Sequence, residues 1–278
     1  MERIEYHWRT DDGVELFGQG WLPAGAPKAA VCLVHGLGEH SGRYAHVAEA
    51  LNQAGYALLG FDLRGHGRSG GPRGHAPSLE AWLCDIDRLL EEASQRFPGT
   101  PRFVYGHSLG GILVLDYVLL RRPALAGAIV TSPGLHTAIE QQKVKVALSK
   151  VLGRWLPGLT LASGLNPQHL SRDPQVVRAY VDDPLVHDRL TAGSGYQLLK
   201  GIQLALERAA EFPLPLLLMH GTQDQLCFPS SSTEVAEAHP GDCTLKVWEG
   251  GYHELHNEPE KQAVLRSMTE WLDKHLPQ

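Results

Sequence analysis

The stretch Phe103-Val104-Tyr105-Gly106-His107-Ser108-Leu109-Gly110-Gly111-Ile112-Leu113-Val114 decides the fold of this chain. Phe103–Tyr105 reads as a strand, and Leu109–Arg122 reads as a largely apolar helix. Between them lies Gly106-His107-Ser108-Leu109-Gly110, a G-x-S-x-G pattern. A strand turning abruptly into a helix strains the backbone at the serine. Glycine on both flanks removes the Cβ atoms that would clash in so tight a turn. The serine hydroxyl is then lifted above the sheet. The N-terminus of the following helix offers free N–H groups and positive potential, suited to a developing oxyanion. Ser108 is therefore the candidate nucleophile.

Outward from this turn, short apolar runs alternate with amphipathic stretches. Val14–Trp21, broken by Gly18, reads as an opening hairpin. Ala29–His35 and Tyr56–Asp62 read as strands, with a helix over Gly42–Ala54 between them. Leu79–Phe97 has the period of a helix and presents Trp82, Ile86, Leu89, Leu90 and Ala93 on one face. Ala128–Ser132, Leu216–His220 and Thr244–Trp248 are later strands, and Pro259–His275 closes the chain as a helix. Continuous apolar strands separated by helices imply a mostly parallel sheet flanked by helices on both faces. The rhythm breaks between about 135 and 212, where helical patterns occur without a convincing strand. The expected organisation is an α/β core over 1–134 and 213–278. A helical cap over 135–212 is inserted after the sixth strand, above the sheet edge where such folds bind ligands.

Composition narrows the function. The formal net charge of −6 disfavours nucleic acid as a partner. The cysteines at 32, 84, 227 and 243 form no C-x-x-C pattern. They read as buried free thiols, which suits a reducing, cytoplasmic location. The start, Met1-Glu2-Arg3-Ile4-Glu5-Tyr6, has no apolar segment of signal-peptide type. The longest apolar stretch, Ile112–Leu120, is interrupted by Asp116 and too short to span a bilayer. No H-E-x-x-H occurs and the histidines are scattered, so no metal site and no cofactor are expected. The glycine loops do not make G-x-G-x-x-G, which removes a dinucleotide-binding reading.

A serine hydroxyl needs a base. With 15 histidines, position must choose it. On this kind of scaffold the order is serine, acid, histidine, each after a strand. Asp224 lies in His220-Gly221-Thr222-Gln223-Asp224, and His253 in Glu249-Gly250-Gly251-Tyr252-His253. Both loops follow strand C-termini, the edge that carries Ser108. His256 is the rival base, but His253 stands nearer the Gly-rich turn. Asp242 is a rival acid that precedes its strand and falls at the wrong edge. Asp62 reads as a residue tying its own loop. The loop His35-Gly36-Leu37-Gly38-Glu39-His40 follows the third strand and can face Ser108. The backbone N–H groups of Leu37 and Leu109 are the expected oxyanion donors, each worth ~3 kcal/mol.

Four segments carry a resemblance. They are His35-Gly36-Leu37-Gly38-Glu39-His40-Ser41-Gly42-Arg43-Tyr44, Asp62-Leu63-Arg64-Gly65-His66-Gly67-Arg68-Ser69, the Ser108 turn, and Glu249-Gly250-Gly251-Tyr252-His253-Glu254-Leu255-His256. Over roughly 12–135 and 212–275 the chain resembles the monoacylglycerol lipases and related lysophospholipases among the α/β-hydrolase fold's serine enzymes. The resemblance implies Ser108, Asp224 and His253 as catalytic residues, with Leu37 and Leu109 at the oxyanion hole. It implies that Glu39, Arg43 and His256 line the pocket for glycerol, although a local ion pair also accounts for Glu39 and Arg43. The cap resembles the group only around Asp183-Pro184-Leu185.

Within the cap, Val144, Ala147, Leu148, Val151, Leu152, Trp155 and Leu156 recur at helical spacing, flanked by Lys143, Lys145, Lys150 and Arg154. Such a basic amphipathic helix can dip into a lipid surface. It can equally pack on the core and wall an acyl tunnel. Both readings imply a lipid ester as partner, with transient membrane or micelle contact in the first. The leading expectation is hydrolysis of monoacylglycerols through an acyl-enzyme on Ser108. The alternatives are a general short- or medium-chain carboxylesterase, a lysophospholipase, a peptidase, and a non-catalytic small-molecule-binding protein of the same fold. Nucleophilic aspartate chemistry is disfavoured by Ser108.

Overall fold

Apolar runs whose side chains alternate between two covered faces form the centre of the molecule. The computed structural model describes residues 1–137 and 151–277. In chain order the strands are β1 (Glu2–Arg9), β2 (Glu15–Leu22), β3 (Ala30–Val34), β4 (Ala57–Phe61), β5 (Arg102–His107), β6 (Gly127–Thr131), β7 (Thr160–Ala162), β8 (Arg189–Thr191), β9 (Leu216–Gly221) and β10 (Cys243–Trp248). Eight of them make one sheet in the order β1-β2-β4-β3-β5-β6-β9-β10, while β7 and β8 pair separately. β2 lies antiparallel to β1 and β4, and every other pair in the large sheet is parallel.

The parallel strands read as unbroken apolar runs because both faces are buried. Ala30, Cys32 and Val34 of β3 join one apolar cluster, and Val31 and Leu33 join the other. The helices are α1 (Ala45–Gln53), α2 (Leu79–Arg96), α3 (Leu109–Arg121), α4 (Pro174–Asp182), α5 (Ala192–Glu207), α6 (Ser230–Ala238) and α7 (Lys261–Lys274). α2 and α3 supply the first cluster; α1 and α7 supply the second. α2 starts where the Ser78 hydroxyl accepts from the Ala81 N–H at 3.1 Å, a cap worth ~1 kcal/mol. The face read from its period, Trp82, Ile86, Leu89, Leu90 and Ala93, is buried. α3 is apolar all round but for Asp116, because every residue from Leu109 to Leu119 is buried.

Four expectations need correction. Val14–Trp21 is not a hairpin broken at Gly18: Glu15–Leu22 is one strand, and the hairpin is completed by β1, of which only Tyr6 is fully buried. The helix expected over Gly42–Ala54 is a single 3-10 turn, Ser41–Tyr44, followed by α1. The region between β6 and β9 contains strands after all, the ribbon β7–β8. Three-residue strands are too short to establish a period. Cys32 and Cys227 are buried, but Cys84 is exposed and Cys243 intermediate. Within α2 the Cys84 side chain lies on the solvent side, where its thiol neighbours Glu80 and Arg121.

β5, β9 and β10 run parallel, so the loops after them emerge at one edge of the sheet. That edge carries Ser108, Asp224 and His253. Between β6 and β9 the chain passes through β7, α4, β8 and α5, and α5 packs on α3. Residues 151–155 are helical. Of the amphipathic stripe, Val144, Ala147 and Leu148, with Lys143, Lys145 and Lys150, lie outside the described residues.

Candidate active site

Ser108 stands at φ 54° and ψ −113°, between the end of β5 and the first residue of α3. Its own N–H donates to Thr131 O at 3.0 Å, and its carbonyl accepts the Ile112 N–H at 3.2 Å. The flanking glycines are required by close backbone approach. A Cβ on Gly106 would come within 2.3 Å of Gly110 O, and one on Gly110 within 1.9 Å of Val34 O. As the first residue of α3, Leu109 has no carbonyl within the helix to receive its N–H.

Asp224 follows β9 and is 4 % exposed; His253 follows β10 and is 2 % exposed. His253 Nδ1 lies 2.7 Å from Asp224 Oδ2. Asp224 Oδ1 accepts the N–H groups of Leu226 and Cys227 at 2.9 and 3.0 Å. The two loops meet through glycine: a Cβ on Gly221 would come within 2.2 Å of Gly251 O. Gln223 N–H donates to that same carbonyl. The base loop is pinned from the other side by Ser132, whose hydroxyl donates to His253 O at 2.8 Å.

Burial alone would raise the Asp224 carboxyl, but the adjacent His253 and hydrogen bonds from His220 and His253 hold it below the usual carboxylate range. Burial alone would lower His253, but the Asp224 charge and hydrogen bond outweigh it and leave the imidazole above its ordinary value. An acid that stays ionised and a base made more basic are what proton transfer from a serine needs.

Ser108, His253, Gly36, Leu37, Glu39, His107 and Glu254 line one cleft, together with Leu165, Leu170 and Tyr180 from the segment between β6 and β9. Among the described residues no hydrogen bond joins the Ser108 hydroxyl to His253; in unliganded sites such contacts are commonly loose.

Glu39 faces this cleft, yet its oxygens are engaged. Oε1 accepts from Gly36 N–H at 2.7 Å and Tyr44 Oη at 2.8 Å, and Oε2 from Arg43 at 2.7 Å. Glu39 thus braces the very loop that carries Leu37. Arg43 also makes a two-pronged bridge to Glu254 at 2.6 and 2.7 Å, and its guanidinium lies 4.8 Å from the centre of the Tyr180 ring. The local ion pair considered for Glu39 and Arg43 is present, extended by Glu254. His256 does not line the cleft. It is buried behind it, stacked on Tyr44 at 4.7 Å and edge-on to His107 at 4.9 Å. Burial pushes its imidazole down to about 3.

The rivals resolve by position. Asp242 sits at the start of β10 and pairs with His275 at 3.0 Å. Asp62 ties its own loop, accepting from Ser41 N–H and Oγ and from Arg68 N–H. Sequence reasoning missed His107, Glu254 and Tyr180 as cleft residues. Glu254 stood between the two candidate bases, but only its contact with Arg43, 211 positions away, reveals its place. Asp183, flagged by Asp183-Pro184-Leu185, meets His40 Nε2 at 2.9 Å and ties the segment between β6 and β9 to the loop after β3. Among the described residues no group of three or more metal-ligating side chains clusters, and no helix is long and apolar enough to cross a membrane.

Residues 25–260 match the Hydrolase_4 family, described as serine aminopeptidase, S33. The chain is 38% identical over 276 residues to a monoacylglycerol lipase of Mycolicibacterium smegmatis, covering 99% of this chain and 98% of that protein. It is 39% identical over 270 residues to an abhydrolase domain-containing protein of Dictyostelium discoideum, covering 96% of this chain but 28% of that longer protein. Among solved structures, the Paleococcus ferrophilus monoacylglycerol lipase is similar with a TM-score of 0.86 and 40% identity, over 94% of this chain and 99% of that one.

Proposed function

The chain belongs to the Hydrolase_4 (serine aminopeptidase, S33) family, and on that premise we propose that it cleaves monoacylglycerols to fatty acid and glycerol. The observation that carries the mechanism is the buried Asp224–His253 pair opening onto the cleft that Ser108 lines. The similarity to monoacylglycerol lipases over nearly the whole chain supports the substrate class.

In this reading Ser108 Oγ attacks the ester carbonyl carbon while its proton passes to His253 Nε2. Asp224 holds the imidazole by Nδ1 and stabilises the imidazolium. The tetrahedral oxyanion is met by the N–H groups of Leu37 and Leu109. His253 then gives its proton to the glycerol oxygen as the C–O bond breaks, leaving an acyl-Ser108. Water, deprotonated by His253, attacks the acyl carbon and releases the fatty acid. Glu39 Oε2, which accepts from Arg43 alone, keeps a lone pair with which to accept from a glycerol hydroxyl. We assign Arg43 and His256 to shaping that end of the pocket, Arg43 through Glu39 and Glu254, and His256 from behind.

We treat 135–212 as a cap over a core formed by 1–134 and 213–278. With its walls as they stand the cleft has a cavity volume of only about 10 Å³, far below the ~300–1,000 Å³ of ordinary small-molecule pockets. An acyl chain therefore requires Leu165, Leu170 and Tyr180 to move. Val151, Trp155, Leu156, Leu159 and Leu161 are exposed large apolar residues from the same insertion. We propose that they contact membrane or micelle, with the protein otherwise in the cytoplasm. An aminopeptidase reading has less support, because Glu39 and Glu254, the carboxylates facing the cleft, both engage Arg43.

The test is fatty-acid release from a monoacylglycerol, beside the matching diacylglycerol and lysophospholipid, with Ser108→Ala as the blank. Preference for the monoacylglycerol supports the reading. Equal or absent release with a simple short-chain ester still cleaved reduces it to a general esterase.

A further inference from the structure

Asp224 Oδ2 is approached by a second imidazole that the mechanism above does not use. His220, in β9, is fully buried, and its Nε2 lies 3.2 Å from Asp224 Oδ2. The same Nε2 lies 2.9 Å from Cys227 O, at the far end of the loop that carries Asp224. Two acceptors at one ring nitrogen require that it carry the hydrogen. In the neutral ring Nδ1 then accepts, and its partner at 2.8 Å is the hydroxyl of Ser232, buried in the first turn of α6. This tautomer follows from the partners.

We infer that His220 is a positioning residue for Asp224: with Nε2–H anchored on Cys227 O, its ring stands 3.2 Å from the same carboxylate oxygen that holds His253. This rests on the assignment of Asp224 as the triad acid. The chain runs from Ser232 Oγ–H to His220 Nδ1, and from His220 Nε2–H to Cys227 O, with that N–H edge also facing Asp224 Oδ2, which receives His253 Nδ1–H. It has two consequences. The Nε2–H spans both Asp224 and Cys227 O, so the loop cannot swing without breaking it. It also draws charge from Oδ2, so the carboxylate holds the His253 proton less strongly than it would alone. A histidine there for packing alone would need neither an acceptor at Asp224 nor a hydroxyl fixing its tautomer.

The experiment compares His220→Leu, His220→Gln and Ser232→Ala on a soluble short-chain ester, across the acid limb of kcat/KM, with Asp224→Asn alongside. Leucine removes the N–H. The expected result is kcat down roughly tenfold to a hundredfold with KM unchanged. The acid limb moves to higher pH, because Asp224 then keeps its full charge for His253. Glutamine restores a donor near Nε2 and recovers most of the lost kcat. Ser232→Ala leaves His220 in place but frees its tautomer, and moves the limb in the same direction by less. His220→Leu with wild-type kcat and an unmoved acid limb overturns the inference. So does a loss in leucine that glutamine does not recover. If Asp224→Asn keeps wild-type kcat, the triad assignment itself falls. If only Asp224→Asn is impaired, the triad stands and His220 is structural packing.

Discussion

Replacing Ser108 by glycine should stabilise the protein relative to alanine at the same position, although both variants lack the nucleophile. Ser108 holds φ 54° with ψ −113°, outside the small left-handed region open to residues with a Cβ. Such strain is worth ~1–3 kcal/mol, and alanine keeps it because alanine keeps the Cβ. Glycine relieves it, but a glycine in the unfolded chain is freer by ~0.5–1 kcal/mol, which offsets part of the gain. The balance leaves Ser108→Gly ahead of Ser108→Ala by about 1 kcal/mol. In a domain of this size that raises the melting temperature by ~2–4 °C. Alanine is the proper reference because it removes Oγ without touching the backbone preference. The assay is paired thermal and urea unfolding of the two variants at one pH, with ester hydrolysis checked to be absent in both. A glycine variant that melts at or below the alanine variant would refute the strain argument. The turn would then be an unstrained consequence of the strand and helix around it.

Other outcomes follow from the same geometry. Because Asp224 holds His253 above its ordinary value, the acid limb of kcat/KM should fall at a pH above the free-imidazole pKa of ~6.5, and a limb at or below that value contradicts the pair. Asp224→Asn should lower kcat by ~10⁴-fold with the fold intact, as seen by circular dichroism. His256 takes its proton only near about 3 in the folded state, whereas in the unfolded chain it does so near ~6.5, so stability is lost as pH falls through that window. At about pH 5 this group alone costs ~2 kcal/mol, and His256→Phe, which keeps a ring against Tyr44, should lose that much less on acidification in urea melts. Arg43→Ala strands two nearly buried carboxylates, Glu39 and Glu254, and should destabilise by ~3–5 kcal/mol; a loss under ~1 kcal/mol means that water enters to replace the guanidinium. Trp155→Glu with Leu156→Glu should weaken sedimentation with lipid vesicles while leaving hydrolysis of a soluble ester unchanged, and unchanged sedimentation removes the membrane contact.

Local chemistry made part of this fold legible without any tertiary contact. The parallel strands were legible because burial on both faces demands unbroken apolar runs, and α2 because a one-sided helix repeats every three to four residues. The turn at Ser108 was legible because only glycine tolerates the backbone of Val34 and Gly110 so close. β1 was missed although Ile4, Tyr6 and Trp8 alternate with polar neighbours, because the run is short and charged and at the sheet edge only Tyr6 of the three is fully buried. Tertiary structure alone decided which groups meet across long separations. It put His253 rather than His256 against Asp224, and stacked His256 behind the cleft on Tyr44. It brought Tyr180 to the cleft wall and joined Arg43 to Glu254 across 211 positions. Two histidines three residues apart carry the same side chain, and from the sequence only nearness to the Gly-rich turn favoured His253. A base and a buried spacer differ only in what the rest of the chain brings within hydrogen-bonding distance.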